Sequence, residues 1–490
     1  MLRRLALACS IQVVDRSNDQ RMRYSNFTIY TILPCACIMA GCVAFSPESR
    51  IGEMASPTSW AASKEAKAGV DQRWIEKIGG SGLGELVDEA VANNPDLKAA
   101  AARLDRAAAE AGFAGSGRLP SLGLGADADR SKQNFIGFPF GGSNISQKFG
   151  VQLNASWELD VWGRAKAGQE ASIANAEARK YEYNAAQVSL AAQVAKAWLA
   201  LGESNEQIKL ATEGVKASKI LADSARERFE RALDGNNGSA AQVRLAEVEF
   251  ANRNQTLAQH KQDRERVLRQ LEILLGRYPS GKISDHAILP KFPGSTPAGL
   301  PSELLQRRPD ILAAERIFAA SGRRVKERKL ARFPSLRLTG SGGTTTESVR
   351  DVLSSDFGVW AIGGGLTQPI FQGGAIAGEI EVAKAEDKEN LALLKKTVMA
   401  AFGEVEQALV AEHFFAQREA AAQQAAAVAI EAAERAGDEY SAGTGDILTL
   451  IDATRAKIDN QSRYAAIRRM RLENRIDLHL ALGGDFKASK

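Results

Sequence analysis

Apolar positions from residue 190 to residue 232 recur at alternating steps of four and three. The row runs Leu190, Val194, Ala197, Leu201, Ser204, Ile208, Ala211, Val215, Ser218, Ala222, Ala225, Phe229 and Ala232, with no Pro inside it. That spacing keeps one stripe on one side of a helix and implies a left-handed supercoil. A second row, Val188, Ala191, Ala195 and Trp198, adds another apolar edge. Two edges require two neighbours. A helix from about Gly163 to Leu233 would be roughly 105 Å long at ~1.5 Å per residue. Most soluble domains are narrower than that, so the helix belongs to something elongated.

The pattern around this helix is written twice. Asn94-Pro95-Asp96-Leu97 returns as Arg308-Pro309-Asp310-Ile311, and Leu119-Pro120-Ser121-Leu122 returns as Phe333-Pro334-Ser335-Leu336, with the same interval between the prolines. Later landmarks follow at similar offsets: Val161-Trp162-Gly163 against Ile370-Phe371-Gln372-Gly373, and Leu275-Gly276 against Leu482-Gly483. A repeat of such long period marks a duplicated unit. We place the copies at 83–276 and 302–484, joined by a linker over 277–301 and followed by a tail over 485–490.

Each copy reads as helix, strand, loop, strand, long helix, turn, long helix. The opening helices run from Leu83 to about Gly117 and from Ser302 to Arg332, each stopping before a Pro. Leu122, Leu124, Ala126 and Ala128 alternate, as do Phe149, Val151, Leu153, Ala155, Trp157 and Leu159, which predicts strands. Leu336 with Leu338, and Phe357 with Val359 and Ala361, alternate more weakly through Gly-rich sequence. Loops are expected over 135–147 and 341–356. Long helices are expected over about Gly163–Leu233, Ser239–Leu275, Gly374–Ala442 and Ile447–Leu482.

No segment after the first 44 residues holds the ~18 consecutive apolar residues of a transmembrane helix. The strands have about the length of membrane β-strands, yet four cannot close a barrel, and open edges are not tolerated in lipid. Single-chain barrels start at about eight strands. Either the four form a soluble sheet, or several copies share one barrel. Alternation without a helix to cover either face favours sharing.

Composition agrees with long Ala-lined helices: aromatics are 6% and charged residues 25%. A net charge of +4 is too balanced to suggest nucleic acid as a partner. The basic run Arg323, Arg324, Lys326, Arg328, Lys329, Arg332 reads as a solvated helix face. The four histidines, His260, His286, His413 and His479, lie too far apart for a ligand set. Gly80-Ser81-Gly82-Leu83-Gly84 is followed by Glu85 and has no strand leading in, so it reads as a flexible linker and not a phosphate loop. Nothing here suggests an enzyme, a metal or a bound cofactor.

The cysteines, Cys9, Cys35, Cys37 and Cys42, all lie at the start, so disulfides cannot hold the body together. Arg21 and Arg23 precede a short apolar run over 27–44, the layout of a secretory signal. Residues 1–21 fit no such design, and Met22 makes the better start. Met39-Ala40-Gly41-Cys42 resembles the bacterial lipobox, with Met39 where Leu is usual. That implies cleavage after residue 41, a diacylglyceryl and an acyl chain on Cys42, and a lipidated linker over 42–82. Val43, in place of an Asp, leans towards the outer membrane. A plain signal peptide with an incidental Cys is the alternative.

With these landmarks in place, the sequence resembles the outer-membrane factor family of TolC and OprM, and more narrowly its NodT-like lipoprotein branch. The doubled Pro landmarks carry the resemblance, with the corners Asp160-Val161-Trp162-Gly163-Arg164 and Pro369-Ile370-Phe371-Gln372-Gly373-Gly374, and the stretch 440–455. It implies a mainly α chain with a small membrane β portion, four strands and long antiparallel helices per chain. Three chains would complete a twelve-stranded β-barrel continued by an α-helical barrel.

The implied function is the exit duct of a tripartite efflux system. It would passively pass drugs or other small molecules from an inner-membrane pump, most often of the resistance-nodulation-division type, through a periplasmic adaptor at the helix tips. A pore-less periplasmic coiled-coil adaptor and the duct of a type I secretion system are the alternatives.

Particular residues acquire roles from this resemblance. Gly163, Gly373 and Gly374 would turn strand into helix. Tip turns fall at residues 234–238, with Gly235 and Gly238, and at Gly443, Thr444, Gly445 and Asp446. Asp446 is placed to N-cap the last helix. Asp452, in Leu448-Thr449-Leu450-Ile451-Asp452-Ala453, matches the family Asp that points into the narrowed periplasmic mouth. Three such carboxylates around an axis would form a charged constriction. Thr449 stands where some relatives carry a further Asp. Tyr440 resembles the family Tyr that holds the tip closed.

Overall fold

The structure is a computed structural model that describes residues 57, 59–62, 74–134, 143–232, 239–283, 287–292, 294 and 301–484. Contacts divide the chain into Met1–Phe45 and Ser46–Lys490, and every described residue belongs to the second unit. Cys42, Gly235, Gly238, His286 and the tail lie outside the described residues.

The element order is duplicated. The first half holds α1 (Trp74–Asn93), α2 (Pro95–Ser116), β1 (Ser121–Asn134), β2 (Ser143–Leu159), α3 (Arg164–Ala232) and α4 (Ala240–Leu274). The second holds α5 (Pro301–Arg307), α6 (Pro309–Leu330), β3 (Ser335–Thr346), β4 (Gly358–Thr367), α7 (Ala375–Ser441) and α8 (Ile447–Ala481), with two single 3-10 turns between β3 and β4. At 69 residues α3 is about 104 Å long. It packs against α2, α4, α6 and α8, the neighbours its apolar edges demanded.

Proline sets the main joint of each half. Pro95 has no N–H to continue α1 and sits at the first position of α2. Asn94 before it accepts from the N–H groups of Asp96 and Leu97 at 2.9 and 3.1 Å. Its amide also donates to the Leu274 carbonyl at the end of α4, 2.9 Å away. α2 and α4 therefore meet end to end beside α3. The second half repeats this with other chemistry. Arg308 precedes Pro309 and donates to the Ala481 carbonyl at the end of α8, 3.1 Å away. Gly276 and Gly483 close α4 and α8 with φ of 73° and 66°, the left-handed turn that ends a helix.

Two cores surround these joints. One joins Trp74, Leu83, Leu199, Leu271 and Leu275 with Leu472 and Ile476 of α8. The other joins Trp60, Leu304, Ile311, Val398 and Val405 with Leu478. Each buried Leu contributes about 1.5–3 kcal/mol, and α8 serves both cores.

The structure corrects several expectations. Residues 74–82 are not linker: they open α1, where Leu83 and Val87 are buried, and Gly80 at φ 69° makes a kink within the helix. Trp60, within the expected 42–82 linker, is 3% exposed and meets Phe402 edge to face. The opening helix of each half is two helices, broken at Asn94 and Arg308. Strands extend into the expected loops, with 143–147 in β2 and 341–346 in β3. The basic run of α6 is only partly solvated, since Arg323 pairs with Glu170 at 3.4 Å and Arg328 with Glu379 at 3.3 Å.

Candidate functional site: a two-faced sheet and a paired helix tip

The four strands form one antiparallel sheet in the order β1-β2-β3-β4. Residues paired across an antiparallel ladder share a face, so the register sorts the side chains. Ala128, Ala126, Leu124 and Leu122 pair with Phe149, Val151, Leu153 and Ala155. Trp157 and Leu159 pair with Leu338 and Leu336. Leu336 pairs with Leu366, Gly340 with Ile362 and Gly342 with Trp360. One face is thus mainly apolar across all four strands, with its polar positions (Arg130, Lys132, Gln147, Thr344 and Thr346 among them) gathered towards one end. The other carries Gln152, Asn154, Ser156 and Glu158 beside Gly343, Ser341, Thr339 and Arg337. Every described position of β1 and β4 is exposed except half-buried Ser131. An apolar face open on this scale calls for lipid or a partner, and the outer edges of β1 and β4 carry no strand among the described residues.

The corners between strand and helix are built from glycine and aromatics. Gly163, Gly373 and Gly374 have φ of 79°, 59° and 86°, where an L side chain is strained. Asp160 accepts from the N–H groups of Ala165 and Lys166 at 3.0 and 2.7 Å, capping α3. Trp162 stacks on Phe333 and donates to the Pro334 carbonyl at 2.8 Å. Ile370 and Phe371 are exposed.

At the far end of the long helices, α3 and α4 meet the turn between α7 and α8. Leu221, Ala225, Val243, Tyr440, Ile447 and Leu450 form a small core there. Gly443 has φ 79°, and the N–H groups of Thr444 and Gly445 both donate to the Glu439 carbonyl at 2.9 Å. Asp446 accepts from the Leu448 N–H at 3.2 Å and from the Gln242 amide at 3.3 Å. Tyr440 is buried, with the Arg228 guanidinium 3.8 Å above its ring.

Asp452 stands on the exposed side of α8, 4.0 Å from Arg455. Arg455 also bonds Glu249 of α4, and Glu249 accepts from Arg253 at 2.7 Å. Arg253 reaches Asp459 at 3.4 Å. Burial pushes the Glu249 carboxyl up, but the hydrogen bonds from Arg455 and Arg253 outweigh it and hold it below the usual carboxylate range. Sequence reasoning singled out Asp452 and Tyr440 but not Glu249, Arg253, Arg455 or Arg228, which the structure places around them. The spacing of Glu249 to Arg253 was the available signal, though it reads equally as a solvated helix pair.

A cleft of about 520 Å³ lies beside Arg308 and Glu404. Arg308 is already committed to Asp310 and Glu404, each at 2.6 Å, and Arg307 to Glu303 at 3.0 Å, so both cations that line the cleft are paired. Among the described residues no group of His, Cys, Asp and Glu could hold a metal ion, and no helix is long and apolar enough to cross a membrane.

The model of the family described as "Outer membrane efflux protein" matches residues 86–277 and 300–484. The chain belongs to the outer membrane efflux protein family. The pyoverdine export outer membrane protein OpmQ of Pseudomonas putida is 28% identical over 482 residues, covering 93% of this chain and 97% of OpmQ. The solved outer-membrane channel OprN superposes with a TM-score of 0.81 at 27% identity, covering 90% of this chain and 98% of OprN. The Campylobacter jejuni CmeC outer membrane channel superposes at 0.82 and 25%, covering 91% of this chain and 94% of CmeC. This outer membrane efflux protein has the TolC-like fold. It is the outer-membrane channel component of an efflux pump and extends from the outer membrane into the periplasm.

Proposed function

We propose that three copies of the chain pool their sheets into a twelve-stranded barrel, with the apolar face towards lipid and the polar face lining the bore. The long helices continue that bore, and the α3–α4 and α7–α8 ends form its periplasmic mouth. The observation that carries the reading is the sheet: mainly apolar on one face, polar on the other, and with no strand among the described residues at either outer edge. Joining β4 of one copy to β1 of the next removes the edges that lipid does not tolerate.

The duct is passive and needs no cofactor. An inner-membrane pump of the resistance-nodulation-division type supplies energy, and a periplasmic adaptor docks at the helix ends. The cargo is small molecules such as drugs, chosen by the pump. Diacylglycerol and an acyl chain on Cys42 anchor the N-terminus in outer-membrane lipid, because several acyl chains hold firmly where one holds marginally. Asp452 from each copy forms the acidic ring of the mouth, and Tyr440 helps keep it closed.

The test is conductance in planar bilayers together with cross-linked mass in outer-membrane fractions. Heat-resistant trimers that conduct are the expected result. A non-conducting monomer would instead make the chain a periplasmic adaptor lipoprotein. Loss of protein or peptide secretion in a deletion strain, with drug susceptibility unchanged, would assign it to a type I secretion system.

A further inference from the structure

The apolar face of the sheet has a measurable height and a charged upper border. From Phe149 to Leu159 the outward positions of β2 are all apolar. That stretch spans about 33 Å of backbone, or about 25 Å of height at a tilt of ~40°, the thickness of an outer-membrane apolar band. On neighbouring β1 the same face runs Leu122, Leu124, Ala126, Ala128 and then Arg130 and Lys132. Ala128 pairs with Phe149, where the unbroken apolar run of β2 ends, so Arg130 stands just above it beside Gln147, and Lys132 stands beside the exposed Ile145. Lys132 lies one further step out, about 5 Å higher, within the ~5–7 Å headgroup layer.

Both side chains are exposed and make no ion pair among the described residues. The nearby charges of opposite or competing sign face the bore, since Asp129 and Lys148 pair with each other on the polar face, as does Asp127 with Gly150. No described strand residue on the apolar face is Asp or Glu.

We propose that Arg130 and Lys132 form an anion-binding belt for the phosphate-bearing headgroups of outer-leaflet lipid. The belt rests on the barrel reading above, which turns this face towards lipid. Its charge is complementary to one occupant only, an anionic headgroup at the height where the apolar band ends. In a three-copy barrel it recurs three times around the circumference, wherever β1 lies.

The test uses full-length protein reconstituted in phosphatidylcholine nanodiscs, supplied with bisphosphorylated lipid A or with its dephosphorylated form. Lipid retained after detergent extraction is counted by mass spectrometry. The wild type should retain the phosphorylated form about thirtyfold better, given roughly 1 kcal/mol for each of the two basic residues at a charged membrane surface. Arg130→Ser with Lys132→Ser should abolish that preference, and Arg130→Lys with Lys132→Arg should keep it. Lys148→Ser, on the opposite face, should also keep it. A wild type without preference overturns the belt and needs no variant to fold. So does a Lys148→Ser loss equal to that of the double variant. Conductance measured in parallel separates the two readings: a conducting channel without headgroup preference defeats the belt alone, whereas a chain that forms no channel defeats the barrel.

Discussion

Arg228 of α3 holds its guanidinium 3.8 Å from the ring centre of Tyr440 of α7 and donates to the Tyr440 carbonyl at 2.7 Å. One guanidinium thus holds both the side chain and the backbone of the residue that precedes the α7–α8 turn, from the other half of the repeat. Arg228→Ala should loosen that turn by roughly 2 kcal/mol, the sum of a cation–π contact and a hydrogen bond to a charged group. Tyr440→Phe, which keeps ring and carbonyl, should be close to neutral, and Tyr440→Leu should resemble Arg228→Ala. Amide exchange at Gly443 and Thr444 reads the difference. Equal exchange in Arg228→Ala and the wild type would remove Arg228 as the clasp.

Asp452 is the exposed member of the tip network, with a side chain 76% accessible. Its carboxylate contributes little to stability there, so its removal tests the gate without endangering the fold. Asp452→Ala should raise single-channel conductance or antibiotic leakage while leaving thermal stability within about 0.5 kcal/mol. Unchanged single-channel behaviour would refute the gate assignment.

Glu249 gives the tip a pH dependence with a definite sign. Its folded-state carboxyl is held below the ordinary value of 4.5. The ionised form is therefore the one favoured by folding, and its contribution is fully present above the ordinary carboxylate range. It fades as the pH falls through the lowered folded value. Amide exchange across α4 and the start of α8 should stay flat from pH 7 to about pH 5 after correction for intrinsic rates, then rise on further acidification. Glu249→Gln should remove the acid limb and leave Arg455 and Arg253 short of an acceptor at every pH. A limb that survives in Glu249→Gln would place the titration on another carboxyl.

The long helices, the doubled order and the turn at 443–446 were legible because each follows from short-range chemistry. Pro95 and Pro309 showed the doubling, though the helix breaks they impose were read through, and the step of four and three needs only the chain itself. Asp446 was legible as a cap for the same reason. The features that escaped depend on partners distant in sequence. Trp74, Ile75 and Ile78 sit in a stretch that reads as linker until α3 covers them. Trp60 looks isolated until Phe402 meets it. Glu249 and Arg253 look like an ordinary exposed pair until Arg455, 206 residues from Glu249, arrives from α8.

Among the described residues, the segment before α1 is clamped at Glu406. The backbone N–H groups of Ala61 and Ala62 donate to the two carboxylate oxygens of Glu406 at 2.7 and 2.8 Å, and Trp60 is buried beside them. Glu406→Ala should leave both donors without that acceptor, at a cost of about 1–3 kcal/mol. Limited proteolysis should then cleave near residue 60 faster than in the wild type, with α7 and α8 intact. An unchanged rate would show that Trp60 alone anchors the segment.

Glycine is required at two kinds of place, and substitution should separate them. At Gly163 and Gly374 a Cβ would meet nothing within 4 Å, so only the backbone objects, at φ of 79° and 86°. Alanine there should cost roughly 1–2 kcal/mol, and Asn, which tolerates the left-handed region, should recover part of that. At Gly445 the backbone is ordinary, but a Cβ would sit 2.8 Å from the Tyr440 nitrogen and 2.9 Å from the Glu439 carbonyl carbon. Gly445→Ala must therefore move the turn, and Asn should be no better than Ala. The thermal midpoint of the assembled protein should fall for Gly374→Ala and rise again for Gly374→Asn. Gly445→Ala should instead speed amide exchange around Tyr440 and leave the strand–helix corner as it was. If Asn fails to improve on Ala at position 374, the backbone explanation for the corner fails with it.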